Sequence, residues 1–125
     1  MTINGHFWVE DNNGKVIYDP HFDDYNLVCA IRNADPSKPI YRPASPERQR
    51  EMFKRWILPI LADEDTKDFI RALKSTNTLP PAFSGCCQAN ATTWKMVTGK
   101  GKIVYGDRGW ATYDGGEWIE FEDYQ

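Results

Sequence analysis

The sequence predicts an α+β fold in which an N-terminal hairpin and C-terminal strands form an antiparallel sheet, with about three helices from the middle of the chain packed on it. Three observations predict this fold. Strand-like segments with tight-turn signals occur at both ends, helical periodicity occupies the centre, and the chain has only 125 residues. That length is typical of one domain, which we expect to span residues 1–125. A hydrophobic content of 41% argues against disorder.

The N-terminal hairpin is predicted by strand-like residues 6–10 and 15–19 on either side of an Asn13-Gly14 turn signal. Asn-Gly is the strongest short hairpin signal, because both central residues of a type I′ turn need positive φ. Residues 26–31 fit a third short strand. The following residues 32–45 contain three prolines and are expected to form an irregular loop.

The turn determines which side chains of the hairpin share a face. A two-residue turn pairs Asn12 with Lys15 and places Trp8 opposite Asp19. Because side chains alternate between faces, His6 then shares a face with Asp19 and lies diagonally from it. A carboxylate in that position can orient an imidazole and stabilise its cation. A shift of one residue would place the two on opposite faces.

Three helices are predicted in the middle of the chain. Ser45 can cap the first, and Pro59 should break or kink its last turn. The second covers about residues 65–74, and the third follows Gly85 and runs to about Val97. C-terminal strands are expected over residues 102–105, 109–113 and 117–122. The apolar side chains of the first two helices that we expect in the core are Met52, Phe53, Trp56, Ile57, Ile60, Leu61, Phe69, Ile70 and Leu73.

Charge and cysteine content exclude some classes of function. A net charge of -3 argues against a main role in binding nucleic acid phosphates. No segment is apolar enough for a membrane span, and the N-terminal residues lack the pattern of a signal peptide, so we expect a cytoplasmic location. The three cysteines, Cys29, Cys86 and Cys87, are an odd number and are expected to be reduced thiols.

The start of the third helix is the strongest candidate for chemistry. A thiol in the first turn of a helix, here Cys87, lies near unpaired backbone N–H groups and the positive end of the helix dipole. Both effects lower the pKa of a thiol. The same N–H groups can stabilise an oxyanion, and Gly85 would allow close approach of a substrate. An imidazole within reach would complete an activated nucleophile.

Two motifs resemble a known family. Residues 5–10 (Gly-His-Phe-Trp-Val-Glu) and 16–20 (Val-Ile-Tyr-Asp-Pro) resemble the H-x-W-V-E…D-P hairpin of the transglutaminase-like branch of papain-fold enzymes. Residues 85–91 (Gly-Cys-Cys-Gln-Ala-Asn-Ala) are similar to the G-x-C-x-x-x-A helix start of that branch. The hairpin precedes the cysteine here, so the resemblance implies a circularly permuted form, as found among relatives of the NlpC/P60 peptidases.

The resemblance implies a catalytic set of Cys87 as nucleophile, His6 as base and Asp19 as orienting carboxylate. Such enzymes attack an amide or ester through an acyl-thioester and pass the acyl group to water or an amine, without a cofactor or metal. The expected substrate is a peptide, a protein or a small acyl compound. The flanking residues predicted to contact it are Trp8, Gly85, Cys86 and Gln88.

Two alternatives remain open from the sequence. One is a non-catalytic binding or inhibitory module that uses the aromatic residues Trp110, Tyr113 and Trp118 of the C-terminal strands. The other, which we consider less favoured, is a metal site. Its four candidate ligands are His6, Glu10, Asp19 and His21.

Overall fold

The computed structural model of the protein describes residues 3–20, 33–79, 86–113 and 118–119. It confirms the predicted α+β class: an antiparallel sheet built from strands at both ends of the chain, with helices between them in sequence. The sheet order is β2-β1-β4-β3, and β5 also pairs with β4. The strands are β1 (Ile3–Glu10), β2 (Val16–Tyr18), β3 (Ala34–Pro43), β4 (Lys102–Thr112) and β5 (Trp118–Ile119).

The described residues fall into two compact units. The first unit contains residues 3–6, 33–44, 106–113 and 118–119. The second unit contains residues 7–20, 45–79 and 86–105, and therefore the hairpin turn and every described helix. The prediction of one domain over residues 1–125 stays a prediction.

The predicted two-residue hairpin turn is wrong. Asp11 N–H donates to the carbonyl oxygen of Lys15 at 2.8 Å, and Gly14 N–H donates to that of Asp11 at 3.2 Å. The loop is therefore three residues long and ends at Gly14 with φ +80°. The Asp11 carboxylate also accepts bonds from the N–H groups of Asn13 and Lys15, at 2.8 and 2.9 Å. These additional bonds stabilise the longer loop.

The register of the hairpin is nevertheless recovered beyond the turn. The longer loop shifts pairing by one residue, so that Glu10 pairs with Val16. An irregularity between Val9 and Glu10 then shifts it back, and Val9 pairs with Tyr18. This is the pair that the two-residue turn would have given at that position. The one-residue shift at the loop and the opposite shift between Val9 and Glu10 therefore cancel.

The loop predicted over residues 32–45 is largely a strand. Within β3, Pro39 pairs with Trp110 and Pro43 with Gly106 of β4. The strand lies at the end of the sheet order, where a proline without an N–H group removes no ladder hydrogen bond on the open side. The strand predicted over residues 26–31 lies outside the described residues. The two segments predicted over residues 102–113 are one strand, β4.

The described helices are α1 (Pro46–Met52), a π-helical segment (Phe53–Ile57), α2 (Leu58–Ala62), α3 (Glu64–Ser75) and α4 (Cys87–Thr98). The first three run as one helix, because the residues at both junctions keep right-handed helical φ and ψ. Pro59 was predicted to break or kink the last turn, and the helix continues past it to Ala62. The wider π turn just before Pro59, with Leu58 N–H donating to the Phe53 carbonyl, interrupts the regular hydrogen-bond ladder.

The π segment also rotates the apolar stripe of the first helix. Met52 and Ile57 are buried, as predicted, whereas Phe53 and Trp56 are 37% and 40% exposed. In α3, Ile70 is buried but Phe69 is 49% exposed. The prediction of a buried position is therefore wrong for Phe53, Trp56 and Phe69. For Phe53 and Trp56, the extra residue per turn of the π segment changes which side chains face inward. No helix among the described residues is long and apolar enough to cross a membrane.

Candidate thiol site

The candidate site lies in the second unit at the start of α4. Cys87 is the first residue of this helix, and Cys86 precedes it in an extended conformation, with φ -66° and ψ 124°. The Cys86 side chain makes no capping hydrogen bond to the helix. The first N–H groups of α4 therefore lack the side-chain acceptor that commonly satisfies such groups.

The sulfur of Cys87 lies against strand β1. The backbone N–H of Phe7 donates to Cys87 Sγ at 3.5 Å, and the thiol donates to Gln88 Oε1 at 3.7 Å. The Phe7 ring packs on Tyr105, with 4.9 Å between ring centroids, which helps to fix β1 at this point. A donor aimed at sulfur stabilises negative charge there.

The pKa of Cys87 is shifted in the direction opposite to the sequence prediction. Partial burial raises the pKa of the thiol, and the N–H groups of Phe7 and Gln88 lower it by less. The charges of Asp19 and Cys86 raise it further. The prediction of a lowered pKa was wrong because loss of water around the sulfur outweighs the hydrogen bonds to it. By itself, this environment favours a neutral thiol at pH 7.

The neighbour of Asp19 in the hairpin packs on α4. Tyr18 stacks on Trp94 of α4, with ring centroids 4.9 Å apart and planes inclined by 8°. Burial raises the pKa of the Tyr18 phenol, and the Asp19 charge adds to this. The charge of Asp19 therefore acts on both Tyr18 and Cys87.

Trp8 does not fit its predicted contact with substrate. Its side chain is fully buried, and its Nε1–H donates to Glu10 Oε2 at 2.8 Å. A ring without exposed surface cannot line an open site. Trp8 instead packs in the core of the second unit, and its bond satisfies the buried Glu10 carboxylate.

The remaining predicted site residues are placed as follows. Cys86 is exposed with a free thiol, and Gln88 is half-buried with its side chain on the sulfur. Gly85 lies outside the described residues. His6 is buried and belongs to the first unit, whereas Cys87 belongs to the second, so their pairing stays a prediction.

The metal alternative gains no support from the part of the chain that the structure describes, where no three potential ligands cluster. Of its candidate ligands, His21 lies outside that part. The aromatic binding module is also weakened. Trp110 is fully buried, so its predicted role as a surface anchor is wrong, although Tyr113 is 54% exposed. The side chain of Trp118 is not described.

Sequence reasoning missed Gln49, a residue that joins a helix to the sheet. Its Oε1 accepts a bond from the backbone N–H of Tyr105 at 2.8 Å, and its Nε2 donates to the carbonyl oxygen of the same residue. The amide of Gln49 thus takes the place of a strand partner. No local pattern indicates such a bond, since the two residues are 56 positions apart.

Comparisons with protein-family models, with curated proteins and with solved structures give no match to this chain.

Proposed function

We propose that this protein is a cysteine-dependent hydrolase or acyltransferase of the circularly permuted papain-like type, in which Cys87 is the nucleophile, His6 the base and Asp19 the orienting carboxylate. The observation that carries the proposal is the contact of 3.5 Å between the Phe7 N–H and Cys87 Sγ, at a helix start without a side-chain cap. It combines a half-buried thiol with hydrogen-bond donors in one place.

Chain connectivity supports His6 as the base. His6 directly precedes Phe7, whose backbone N–H donates to the sulfur of Cys87. Because burial raises the pKa of Cys87, the resting thiol is neutral and needs a base at the moment of attack.

The reaction follows from these roles. The neutral imidazole of His6 takes the proton of Cys87 as Sγ bonds to the carbonyl carbon of an amide or ester. The carbonyl π electrons move to oxygen, and N–H groups at the start of α4 stabilise this oxyanion. Collapse of the intermediate breaks the bond to the amine or alcohol, which leaves with the proton from the imidazolium. Water or an amine then attacks the thioester, gives its proton to His6, and the released sulfur is reprotonated.

The charge of Asp19 has opposite effects on proton loss from Cys87 and on proton uptake by His6. This charge raises the pKa of the thiol, which alone would slow deprotonation. The same charge stabilises the imidazolium that forms when His6 accepts the proton. We therefore propose that Asp19 stabilises the imidazolium of His6 and does not activate the sulfur of Cys87. A reducing compartment, such as the cytoplasm, would keep Cys86 and Cys87 as the free thiols seen here.

Acetylation by p-nitrophenyl acetate tests the proposed thioester chemistry. We expect a burst of p-nitrophenol near neutral pH and an acetyl group that peptide mapping locates on Cys87. His6→Asn should slow the burst by about a hundredfold, the lower range for loss of a general base. The chain has only two histidines, so His21→Asn is a matched control that should leave the burst unchanged.

The proposal fails if Cys87→Ser leaves the burst unchanged. It also fails if the two histidine variants acetylate Cys87 at the same rate. Because His6 is buried, each variant should first be compared with the parent by thermal unfolding. If His6→Asn does not fold, His6→Gln and the pH dependence of the unmodified protein provide the same test.

A further inference from the structure

A second surface feature of the second unit lies apart from the thiol. It is a groove of about 440 Å³ between the first helix and the beginning of β4. This volume is within the range of sites that bind small ligands or peptide side chains. The groove is lined by Gln49, Arg50, Phe53, Lys54, Leu58 and Ile103.

The walls of the groove are apolar and partly exposed. Phe53 and Leu58 are 37% and 45% exposed, because the π turn carries them away from the core. Large apolar side chains that adjoin each other at a concave surface are typical of interaction sites. Neither side chain is fully buried, so a partner that covers both would gain hydrophobic free energy on binding.

One side of the groove is the beginning of β4, which lies before the residues 106–112 that pair with β3. The N–H and the carbonyl of Tyr105 both point to Gln49, which satisfies them. Backbone groups two residues apart in a strand point to the same side, so those of Ile103 are directed to the side on which the groove lies. An extended peptide can add to such an edge through main-chain hydrogen bonds.

The charge of the groove narrows the choice of partner. Among the described residues, Arg50 and Lys54 form no ion pair, whereas the neighbouring Arg48 binds Glu51 at 2.8 Å. Two cations without carboxylate partners therefore flank an apolar surface on a chain whose net charge is -3. Such a surface attracts acidic groups and repels basic ones.

We propose that this groove binds an extended peptide segment in which acidic and apolar residues alternate. The peptide backbone pairs with Ile103 as an added strand, apolar side chains cover Phe53 and Leu58, and carboxylates contact Arg50 and Lys54. This binding site goes beyond the thiol chemistry proposed above and requires none of its residues.

Binding of a designed peptide tests the proposal. The probe is fluorescein-Glu-Phe-Asp-Leu-Glu-Ile-Asp-Leu, and the protein is the full chain with Cys87→Ser, so that no covalent reaction intervenes. We expect saturable fluorescence anisotropy that weakens at high salt. The double variant Arg50→Glu/Lys54→Glu should bind at least about tenfold more weakly, as should Leu58→Asp. Lys74→Glu, an exposed charge reversal on α3, is the matched control and should bind as the parent does.

Two altered peptides separate the parts of the site. A peptide with lysine in place of each acidic residue should bind at least about tenfold more weakly, because Arg50 and Lys54 repel it. A peptide that is N-methylated at alternate residues cannot donate along one edge and should also lose affinity. Equal binding of either peptide, or an unchanged affinity of the double variant, would overturn the proposal.

The competing occupant is a second copy of this chain. Light scattering after size exclusion distinguishes it: a concentration-dependent dimer that Leu58→Asp abolishes would show that the groove binds another copy and would overturn the peptide proposal. A monomer that binds the acidic peptide through the named residues supports it. Because the thiol is absent from the test protein, either result leaves the proposed thiol chemistry untouched.

Discussion

The two ends of α4 satisfy their backbone groups in different ways. At the carboxyl end, Gly99 adopts a left-handed conformation with φ +69°, and its N–H donates to the Lys95 carbonyl at 2.7 Å. At the amino end, Cys86 supplies no capping bond, and Cys87 presents its sulfur to β1. The carboxyl end is closed by a backbone hydrogen bond of Gly99, whereas at the amino end the side chain of Cys86 supplies no cap.

Two other helices of the described residues, α1 and α3, begin with a side-chain cap. Ser45 Oγ accepts from Arg48 N–H at 3.2 Å, and Asp63 accepts from both the N–H and the hydroxyl of Thr66 at 2.8 and 2.9 Å. Both are common N-cap arrangements. The following substitutions test the two ends of α4 and the cap of α3, in decreasing order of expected effect.

The largest effect is expected at Gly101, just beyond the carboxyl end of α4. A Cβ atom there would lie 2.6 Å from the Glu10 carbonyl oxygen and 2.6 Å from Val9 Cγ1. Gly101 also has φ +72°, a backbone conformation that is strained for residues other than glycine. Gly101→Ala should lower the free energy of unfolding by about 3 kcal/mol or more, measured by urea denaturation.

Gly99→Ala isolates the backbone contribution to that loss. Gly99 has nearly the same φ as Gly101, but nothing lies within 4 Å of the position of its Cβ. We expect a loss of about 1 kcal/mol from conformational strain alone. If both alanine variants lose the same free energy of unfolding, close contact with β1 is not what requires glycine at position 101.

A smaller effect of opposite sign is expected at the amino end. Cys86→Ser introduces a hydroxyl that can accept from an N–H of the first turn, and it should raise the free energy of unfolding by about 0.5–1 kcal/mol. Asp63→Ala, which removes an existing cap from α3, should lower the free energy of unfolding. A destabilised Cys86→Ser would contradict the view that the start of α4 lacks a cap.

The smallest effect concerns the pH dependence of the α3 cap. Hydrogen bonds from Thr66, first from its N–H and then from its hydroxyl, lower the pKa of Asp63. A carboxyl group whose pKa is lower in the folded state stabilises the protein above its ordinary pKa, and this stabilisation is lost as pH falls through the folded-state pKa. Asp63→Asn should keep the cap and remove this part of the acid sensitivity. Identical acid unfolding curves would show that Asp63 contributes no pH dependence.

Local signals predicted much of this architecture. The caps at Ser45 and the span of α3 follow from residues close together in sequence, and both are found. Proline was misleading in β3, because whether it interrupts a strand depends on the place of that strand in the sheet. The rotated stripe of the first helix was also missed, since a π turn has no clear sequence signature.

The candidate site was predictable only in part. A cysteine at a helix start is visible in the sequence, and α4 does begin at Cys87. Its contact with Phe7 spans 80 positions, and the raised pKa results from burial that only the folded chain creates. The residue type and its position at a helix start can thus be predicted from local sequence. The environment that determines the reactivity of the thiol depends on contacts distant in sequence.

The pH profile of Cys87 alkylation by iodoacetamide tests the central claim most directly. With Cys86→Ala as background, we predict that His6, as the base that takes the thiol proton, makes the alkylation rate rise at a lower pH than it does in His6→Asn. In His6→Asn, the rate should rise only above the ordinary thiol pKa of about 8.5. A single rise above that value, unchanged by His6→Asn, would show that Cys87 is a buried thiol without a base.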